Sequence, residues 1–268
     1  MIKLIASDID GTLLPEGSDK LNPEMYTVIR MLKERGTLFA AASGRSYPSI
    51  ARLFAPVKDD MIFIADNGSN VVCRGYETFS AVLNRRDTEE LVYAMRKRGD
   101  CTILLSSKTT VYLETEDEQL LDLLINGYHN NVRVCKDVLD QEDSIVKAAI
   151  YYRPGIQKIA GPIIEEWKDR FHVMAAGDPW LDFVDYRADK GKALESIQEL
   201  LKISREETMA FGDNLNDLGM LARAEESYAV ANARPEVRAA AKHQADSNLQ
   251  DGVLKIMRRL LEEEKNVQ

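Results

Sequence analysis

Cysteine and histidine are scarce: the 268 residues hold three of each. Cys73, Cys101 and Cys135 lie far apart and in no metal-ligand spacing. An odd, sparse set argues against a disulfide framework and fits a reducing cytoplasm. Long apolar runs are also missing. No stretch approaches the ~18 apolar residues of a bilayer span. The opening MIKLIASDID is cut short by Asp8 and is not read as a signal peptide. Basic residues are in deficit, 35 Lys and Arg against 44 Asp and Glu, for a net charge of -9. That deficit argues against nucleic acid as the main partner, because phosphate backbones need clustered cations. It does not exclude a small phosphorylated ligand, which a few local cations and a metal can hold. Repeats and low-complexity segments are absent. The expectation is a soluble, cytoplasmic protein without membrane contact.

What is present suits a packed globular chain. Hydrophobic residues make up 45% and charged residues 29%, near the averages for soluble domains. The length suffices for one large domain or two modest ones. Lys3 to Ser7 form a short apolar run without helical period, which predicts a strand buried on both faces. A helix follows, with Asn22 as N-cap, Pro23 at its first position and Gly36 at its stop; Met25, Val28, Ile29 and Leu32 form its apolar stripe. Strands are predicted at Thr37 to Ala42 and Met61 to Ala65, with a short helix over Tyr47 to Phe54 between them. The far end repeats this alternation: a helix through Ala193, Leu194, Ile197, Leu200 and Leu201, strands at Thr208 to Phe211 and Ser227 to Val230, a helix from Pro235 and a terminal helix through Val253 and Leu261. The closing EEEKNVQ reads as a frayed end. Alternating strands and helices predict a doubly wound, Rossmann-like parallel sheet.

The middle has another texture. Strand-like runs at Thr102 to Leu105, Ile145 to Tyr152 and Phe171 to Ala176 mix with helical stripes at Leu91 to Met95, Leu120 to Tyr128 and Ile156 to Trp167. The expected fold is therefore α/β, with a core domain over residues 1–83 and 185–268 and an inserted α/β cap over 84–184.

Four segments of the outer parts carry candidate chemistry, three of them directly after predicted strands. In an open parallel sheet such loops share one edge. In Asp8-Ile9-Asp10-Gly11-Thr12, two carboxylates project the same way from extended chain, a pairing that invites a cation. One carboxylate can attack phosphorus while the other protonates the leaving oxygen; Gly11 permits a sharp turn close to a phosphate. Ser43-Gly44-Arg45 offers a hydroxyl and backbone N–H groups to phosphate oxygens. Lys190, at a helix start, is disfavoured by the helix dipole unless an anion lies near; Lys192 competes for that role. Gly212-Asp213-Asn214-Leu215-Asn216-Asp217 is a dense acid-amide cluster suited to hydrated magnesium. Singly, these segments equally describe a turn, a loop, a solvated lysine and a pair of helix caps.

Together, and in this order, DIDGTLL, SGR, KGKAL and GDNLNDLGML resemble the four motifs of the haloacid dehalogenase-like phosphohydrolases. DNGSN around Asn67, AVANARPEVRAAA and SNLQDGV extend the resemblance to the Cof-type hydrolases with a large α/β cap. The resemblance implies a magnesium-dependent phosphatase of small phosphorylated metabolites such as sugar phosphates. Asp8 would be the nucleophile that becomes an aspartyl phosphate. Asp10 would be the general acid and then the base, lending its backbone carbonyl to Mg2+. Asp8, Asp213 and Asp217 complete the metal set, with Asn216 and Asp217 positioning the metal's waters and the lysine. Ser43, with Gly11 and Gly44, would bind the phosphoryl group and Lys190 would balance its charge, while Arg45, Asn67 and Asn216 face substrate. Ser43 stands where many relatives have Thr, which keeps the hydroxyl. The cap would close over the substrate and supply specificity; Tyr112, Tyr128, His129 and Trp180 are its polar and aromatic residues, none with an assigned role. The alternatives are a phosphotransferase or phosphomutase using the same intermediate, and a non-catalytic regulator that binds a phospholigand. A monomer is the default expectation, since a lid closes without a partner, with a weak dimer as the alternative.

Overall fold

A computed structural model describes residues 1–15, 18, 20–176 and 178–265. The first section of chain builds β1 (Leu4–Asp8), α1 (Glu24–Glu34), β2 (Leu38–Ala42), α2 (Tyr47–Leu53), β3 (Ile62–Ala65), β4 (Asn70–Cys73) and β5 (Tyr76–Ser80). The middle builds α3 (Arg85–Arg98), β6 (Thr102–Ser106), β7 (Val111–Leu113), α4 (Glu118–Asp122), β8 (Val132–Val134), β9 (Lys147–Tyr151), α5 (Ala160–Trp167), β10 (His172–Ala175) and β11 (Trp180–Val184). The last section builds α6 (Lys190–Leu201), β12 (Thr208–Gly212), α7 (Leu218–Ala222), β13 (Glu226–Val230), α8 (Pro235–Ala240), β14 (His243–Ala245) and α9 (Gly252–Lys265). Helix α9 extends to Lys265, and the remainder of the segment read as a frayed end, residues 266–268, lies outside the described residues.

The first and last sections share one 8-stranded sheet, ordered β14-β13-β12-β1-β2-β3-β4-β5. Its strands run parallel from β14 to β3; β4 and β5 add an antiparallel hairpin at one edge. The strands β1, β2, β3 and β12 are buried at every residue, as strands covered by helices on both faces must be. Helix α1 starts one residue later than the sequence suggests. Pro23 stands at its entry and Asn22 Oδ1 accepts the Glu24 N–H at 3.0 Å. Its stripe of Met25, Val28, Ile29 and Leu32 is buried as predicted from the 3.6-residue period.

The middle section forms a separate 6-stranded sheet, ordered β10-β11-β9-β6-β7-β8 and antiparallel except for β7-β8. Alternation along its strands divides the residues between two faces. Ile103, Leu105, Ala148, Ile150, Leu181 and Phe183 pack with Leu91, Val92 and Met95 of α3 and with Ile163 and Trp167 of α5. The opposite face carries Leu104, Ala149 and Trp180 under Leu120 and Leu124 of the α4 segment. On that face the cross-strand rows run from Trp180–Tyr151–Thr102, through Asp182–Ala149–Leu104, to Val184–Lys147–Ser106. The face thus changes from apolar to charged toward the strand ends where the chain passes to the 8-stranded sheet. The chain crosses between the sheets at residues 81–83 and 185–189, where Ala81, Val184 and Ala188 form a small buried cluster.

Helices α6 and α7 approach through glycine. A Cβ on Gly191 would strike the Gly219 backbone, its carbonyl oxygen 2.6 Å away. This contact sets how far Lys190, one residue earlier, is pushed inward. Gly191→Ala should therefore lower stability by about 1–3 kcal/mol despite the better helix propensity of alanine. Gly161→Ala, in α5 with nothing within 4 Å of the new methyl, should be neutral or stabilising by up to ~1 kcal/mol. Denaturant titration of the two variants checks the contrast; equal effects would discount the close approach.

Candidate active site

Strands β1 and β12 are hydrogen-bonded neighbours, with Ser7 opposite Phe211. Parallel pairing brings the loops after their carboxyl ends together, so residues 8 and 213 meet across 205 positions of sequence. Oxygens of Asp8, Asp213 and Asp217 all lie within 4.8 Å of one another. Lys190 Nζ, buried from solvent, donates to Asp8 Oδ1 at 2.6 Å and to Asp217 Oδ1 at 2.7 Å. The competing Lys192 instead turns outward to the Tyr186 carbonyl at 3.0 Å. Asp189 caps α6 by accepting the Lys192 N–H at 2.9 Å.

The three carboxylates differ in what they hold. Asp217 is fully engaged: beside Lys190, its Oδ2 accepts the backbone N–H groups of Asp213 and Asn214, each at 3.0 Å. Asp213 Oδ1 accepts the Thr12 hydroxyl at 2.7 Å. Asp8 Oδ2 is buried with no partner. Burial, then the Asp217 charge, raises the Asp8 pKa well above the usual carboxylate range, although Lys190 pulls it down. Burial and Asp217 likewise raise Asp213. Burial opposes the charge on Lys190, but Asp217 and Asp8 outweigh it and its pKa is raised. One buried ammonium among three carboxylates leaves net negative charge, and an all-oxygen donor set of this kind fits a hard divalent cation.

Gly11 adopts φ +91, and a Cβ there would collide with the Asp213 carboxylate. Its carbonyl accepts the Asn232 side-chain N–H at 2.7 Å. Ser43, after β2, holds its turn by accepting the Arg45 N–H at 3.0 Å. Asp10 lies apart from the acidic cluster: its carboxylate takes two hydrogen bonds from Arg45, at 2.8 and 2.5 Å. Asn216 donates to Asn67 Oδ1 at 3.0 Å, and Asn67 donates to Asp182 Oδ2 at 3.2 Å. A polar chain thus runs from one sheet to the other.

These residues floor a half-open cavity of about 190 Å³ between the sheets, smaller than the ~300–1,000 Å³ of drug-sized ligand pockets. Its floor includes Asp8, Asp10, Gly11, Ser43, Gly44, Arg45 and Asp213; its roof includes Leu104, Val111, Tyr128, Lys147, Trp180 and Asp182. Lys190 and Asp217 lie beneath the floor and act through Asp8 and Asp213. Of the aromatic residues noted in the middle section, Tyr128 and Trp180 line the cavity, while Tyr112 is on the opposite sheet face and bonds Asp143.

Sequence reading passed over Thr12, Asp66, Lys147 and Asp182. The available signal was a charge inside an apolar strand: Lys147 in IVKAAIYY and Asp182 in WLDFV. Asp66 and Asp182 are buried, and Lys147 Nζ lies 3.4 Å from Asp66 Oδ1 and 3.6 Å from Asp182 Oδ2. Burial pushes Asp66 up to about 6 against the pull of Lys147, and raises Asp182 as well. Burial opposes the Lys147 charge, but Asp182 and Asp66 prevail and its pKa is raised.

A family model described as haloacid dehalogenase-like hydrolase matches residues 5–257. Escherichia coli YbjI, named 5-amino-6-(5-phospho-D-ribitylamino)uracil phosphatase, is 28% identical, with 98% of this chain and 97% of that protein aligned. Bacillus subtilis YcsE, of the same name, is 24% identical over 96% of this chain and 95% of its own length. A crystal structure from Eubacterium rectale superposes with a TM-score of 0.86 at 32% identity, covering 97% of this chain and 99% of that one. Among the described residues no helix is long and apolar enough to cross a membrane.

The raised Asp66 pKa has a consequence for stability. The folded state holds the Asp66 proton more tightly than the unfolded chain, so ionisation between the ordinary 3.8 and about 6 works against folding. The contribution is present below pH 4 and lost as pH rises through 6. Lys147 and Asp182 are the charged groups that face it. Melting temperatures of wild type and Asp66→Asn, followed from pH 4 to 7, should show a shallower fall in the variant. Parallel curves would mean that Asp66 is already ionised at pH 4.

Proposed function

Because this chain belongs to the haloacid dehalogenase-like hydrolases, we propose that it cleaves small phosphate monoesters through an aspartyl phosphate on Asp8. It is a phosphoric monoester hydrolase. The observation that carries the covalent route is the asymmetry of Asp8: one oxygen is held by Lys190 and the other is buried, unpartnered and at the cavity floor. An oriented carboxylate oxygen without a hydrogen bond is a poised nucleophile.

In the first step Asp8 Oδ2 bonds to phosphorus, the bond from phosphorus to the leaving oxygen breaks, and Asp10 gives that oxygen a proton. In the second, Asp10 takes a proton from water, the water oxygen bonds to phosphorus, and the phosphorus bond to Asp8 breaks. Inorganic phosphate leaves and both carboxylates are restored. The Arg45 fork occupies both oxygens of Asp10. A phosphate that draws the guanidinium to itself would free Asp10 to carry the proton the first step needs. Ser43 and the N–H groups near Gly44 and Gly11 would hold phosphoryl oxygens, and Lys190 keeps Asp8 oriented.

The acidic cluster fits Mg2+: its donors are all oxygen, and a single lysine does not balance three carboxylates. Asp8, Asp213 and the Asp10 carbonyl would hold the ion, with Asp217 steadying Asp213 and Lys190. When bound, the ion would neutralise charge on the phosphoryl group. The position of the cavity between the two sheets, with its roof from residues 84–184, supports reading that segment as a cap that closes over substrate. Two relatives are named for a phosphorylated ribityl compound; we extend to this chain the phosphate ester of a sugar or sugar alcohol.

Two outcomes are expected. Asp8→Asn should fold, by circular dichroism, yet lose at least about 10³-fold in turnover. Acid quench of wild type mixed with a ³²P-labelled ester should leave label on the protein and none on Asp8→Asn; protein free of label at every time point would remove the covalent intermediate. Separately, millimolar Mg2+ should raise the melting temperature of wild type, and Asp213→Asn should abolish the rise. A melting temperature indifferent to Mg2+ would dismiss the assigned metal site.

A further inference from the structure

The segment between β2 and the body of α2 is gripped from the opposite sheet. Lys147 Nζ, on β9, donates to the Gly44 carbonyl at 2.6 Å. The Arg45 guanidinium lies over the Tyr128 ring, 5.7 Å from its centroid. Ser46 Oγ donates to Asn130 Oδ1 at 2.8 Å, and Ser49 Oγ donates to the Tyr128 carbonyl. Residues 44, 45, 46 and 49 thus all touch the middle section of the chain. They follow directly on Ser43, the hydroxyl assigned to the phosphoryl group.

Lys147 differs from the other contacts in what it holds. They engage side chains of the segment, whereas it engages the main chain. The Gly44 carbonyl and the Arg45 N–H belong to one planar peptide. Lys147 holds the carbonyl, and Ser43 Oγ accepts the N–H at 3.0 Å. The plane is pinned at both edges. Gly44 has no Cβ to restrict rotation of that plane, so loss of the ammonium would leave it held at one edge. A hydroxyl that accepts there keeps its own proton to donate, and Ser43 lines the cavity with Asp8. The peptide plane therefore decides where the Ser43 proton points.

The counter-charges of Lys147 belong to the same unit. Asp66 Oδ1 lies 3.4 Å and Asp182 Oδ2 3.6 Å from Nζ. Both distances exceed those of a close ammonium–carboxylate bond, and the short bond goes to the neutral carbonyl. The carboxylates keep the ammonium charged and leave it to the peptide. Asp66 is itself fixed to the loop: its N–H donates to the Arg45 carbonyl, and the Asn67 N–H to the Ser43 carbonyl, each at 2.9 Å. Asp182, on β11, arrives with Lys147 from the 6-stranded sheet. One carboxylate from each sheet brackets the lysine, so Lys147 meets Gly44 only when the sheets lie together.

We propose that Lys147 is a positioning residue for phosphate binding: from the 6-stranded sheet it fixes the Gly44–Arg45 peptide and so turns the Ser43 hydroxyl toward the phosphoryl group. The phosphate site of the 8-stranded sheet is then complete only while the other sheet covers it. An open protein binds phosphate weakly and a closed one tightly. This role rests on the phosphatase reading above and deepens it.

Hydrogen exchange of the ligand-free protein reads the loop directly. In Lys147→Met the Arg45 amide should exchange at least about tenfold faster than in wild type, while the amides of β12 keep their rates. Inorganic phosphate, titrated by calorimetry with Mg2+, should bind the variant at least about tenfold more weakly. For p-nitrophenyl phosphate and ribitol 5-phosphate, kcat/KM should fall by factors equal to within about threefold, because both esters share the phosphoryl group. Removing the lysine leaves Asp66 and Asp182 without their counter-charge. If Lys147→Met does not fold, Lys147→Met combined with Asp182→Asn removes one carboxylate as well and carries the same expectations. An Arg45 amide that exchanges as in wild type overturns the proposal, since any loss of affinity would then be one of charge and not of position. A loss confined to the ribitol ester, with phosphate affinity unmoved, also overturns it and makes Lys147 a contact to the leaving group. Phosphate binding that depends on Lys147 in a protein that hydrolyses neither ester would uphold the positioning role and sink the hydrolase mechanism.

Discussion

The contact of Lys190 with Asp8 and Asp217 is the constraint around which this structure is arranged. Three carboxylates from the ends of two adjacent strands would drive each other apart in a medium of low dielectric. A single buried ammonium, 2.6 and 2.7 Å from two of them, holds the group together. Its delivery depends on features distant in sequence. Asp189 satisfies the start of α6, so the helix begins at Lys190; the Gly191–Gly219 approach then lets α6 settle deeply enough to bury it. Removing one member of such a buried set costs more than the pair contributes, because the remaining charges lose their compensation.

A second charged group stands beside the first with a different construction. The first belongs to one sheet and is tightly bonded. The second is split between two sheets, and its Lys147 pairs loosely with Asp66 and Asp182. Tight bonding suits groups whose geometry must not change during a reaction. Loose pairing across two sheets suits groups that part and meet again as a cap moves. The face of the 6-stranded sheet reflects this division: Trp180, Tyr151 and Thr102 lie farthest from the catalytic edge, and Asp182, Lys147 and Ser106 lie toward it.

The sequence disclosed the 8-stranded sheet better than the 6-stranded one for a physical reason. Strands buried on both faces are continuous apolar runs, so β1, β2, β3 and β12 were legible to within a residue or two at their ends. Each is followed by a loop at the catalytic edge, and in β1, β2 and β12 that loop carries a motif. The hairpin β4-β5 and the three-residue strands β7, β8 and β14 are too short or too exposed to show a period. Strand β11 escaped because Asp182 interrupts its apolar run, and that interruption is the residue that reaches the cavity. The choice between Lys190 and Lys192 was made by the motif resemblance and was closed to the residue pattern alone. At about 100° per residue the two point to nearly opposite sides of α6, and only the packing against α7 decides which side is inside. The stripe through Leu120 and Leu124 was read as one helix, but α4 gives way to a π-turn over Leu123–Gly127, a change in winding that the hydrophobic pattern does not encode.

Asp8, Asp10, Asp213 and Asp217, at the end of β1 and in the loops after β1 and β12, share one side-chain chemistry, and their environments assign them different work. Asp217 has both oxygens committed, to an ammonium and to two backbone amides, so it has nothing left to offer a substrate and serves by holding others in place. Asp213 spends one oxygen on the Thr12 hydroxyl and lies against Gly11, where no side chain would fit. Asp10 faces an arginine that can transfer its grip to an incoming phosphate. Asp8 alone among the four keeps a buried, unpartnered oxygen beside a cavity. Nucleophilicity falls with each hydrogen bond an oxygen accepts, so among these four the carboxylate that Lys190 orients and that keeps one oxygen free is the one suited to attack, and the lysine that fixes its other oxygen is as much a part of its reactivity as the carboxylate itself.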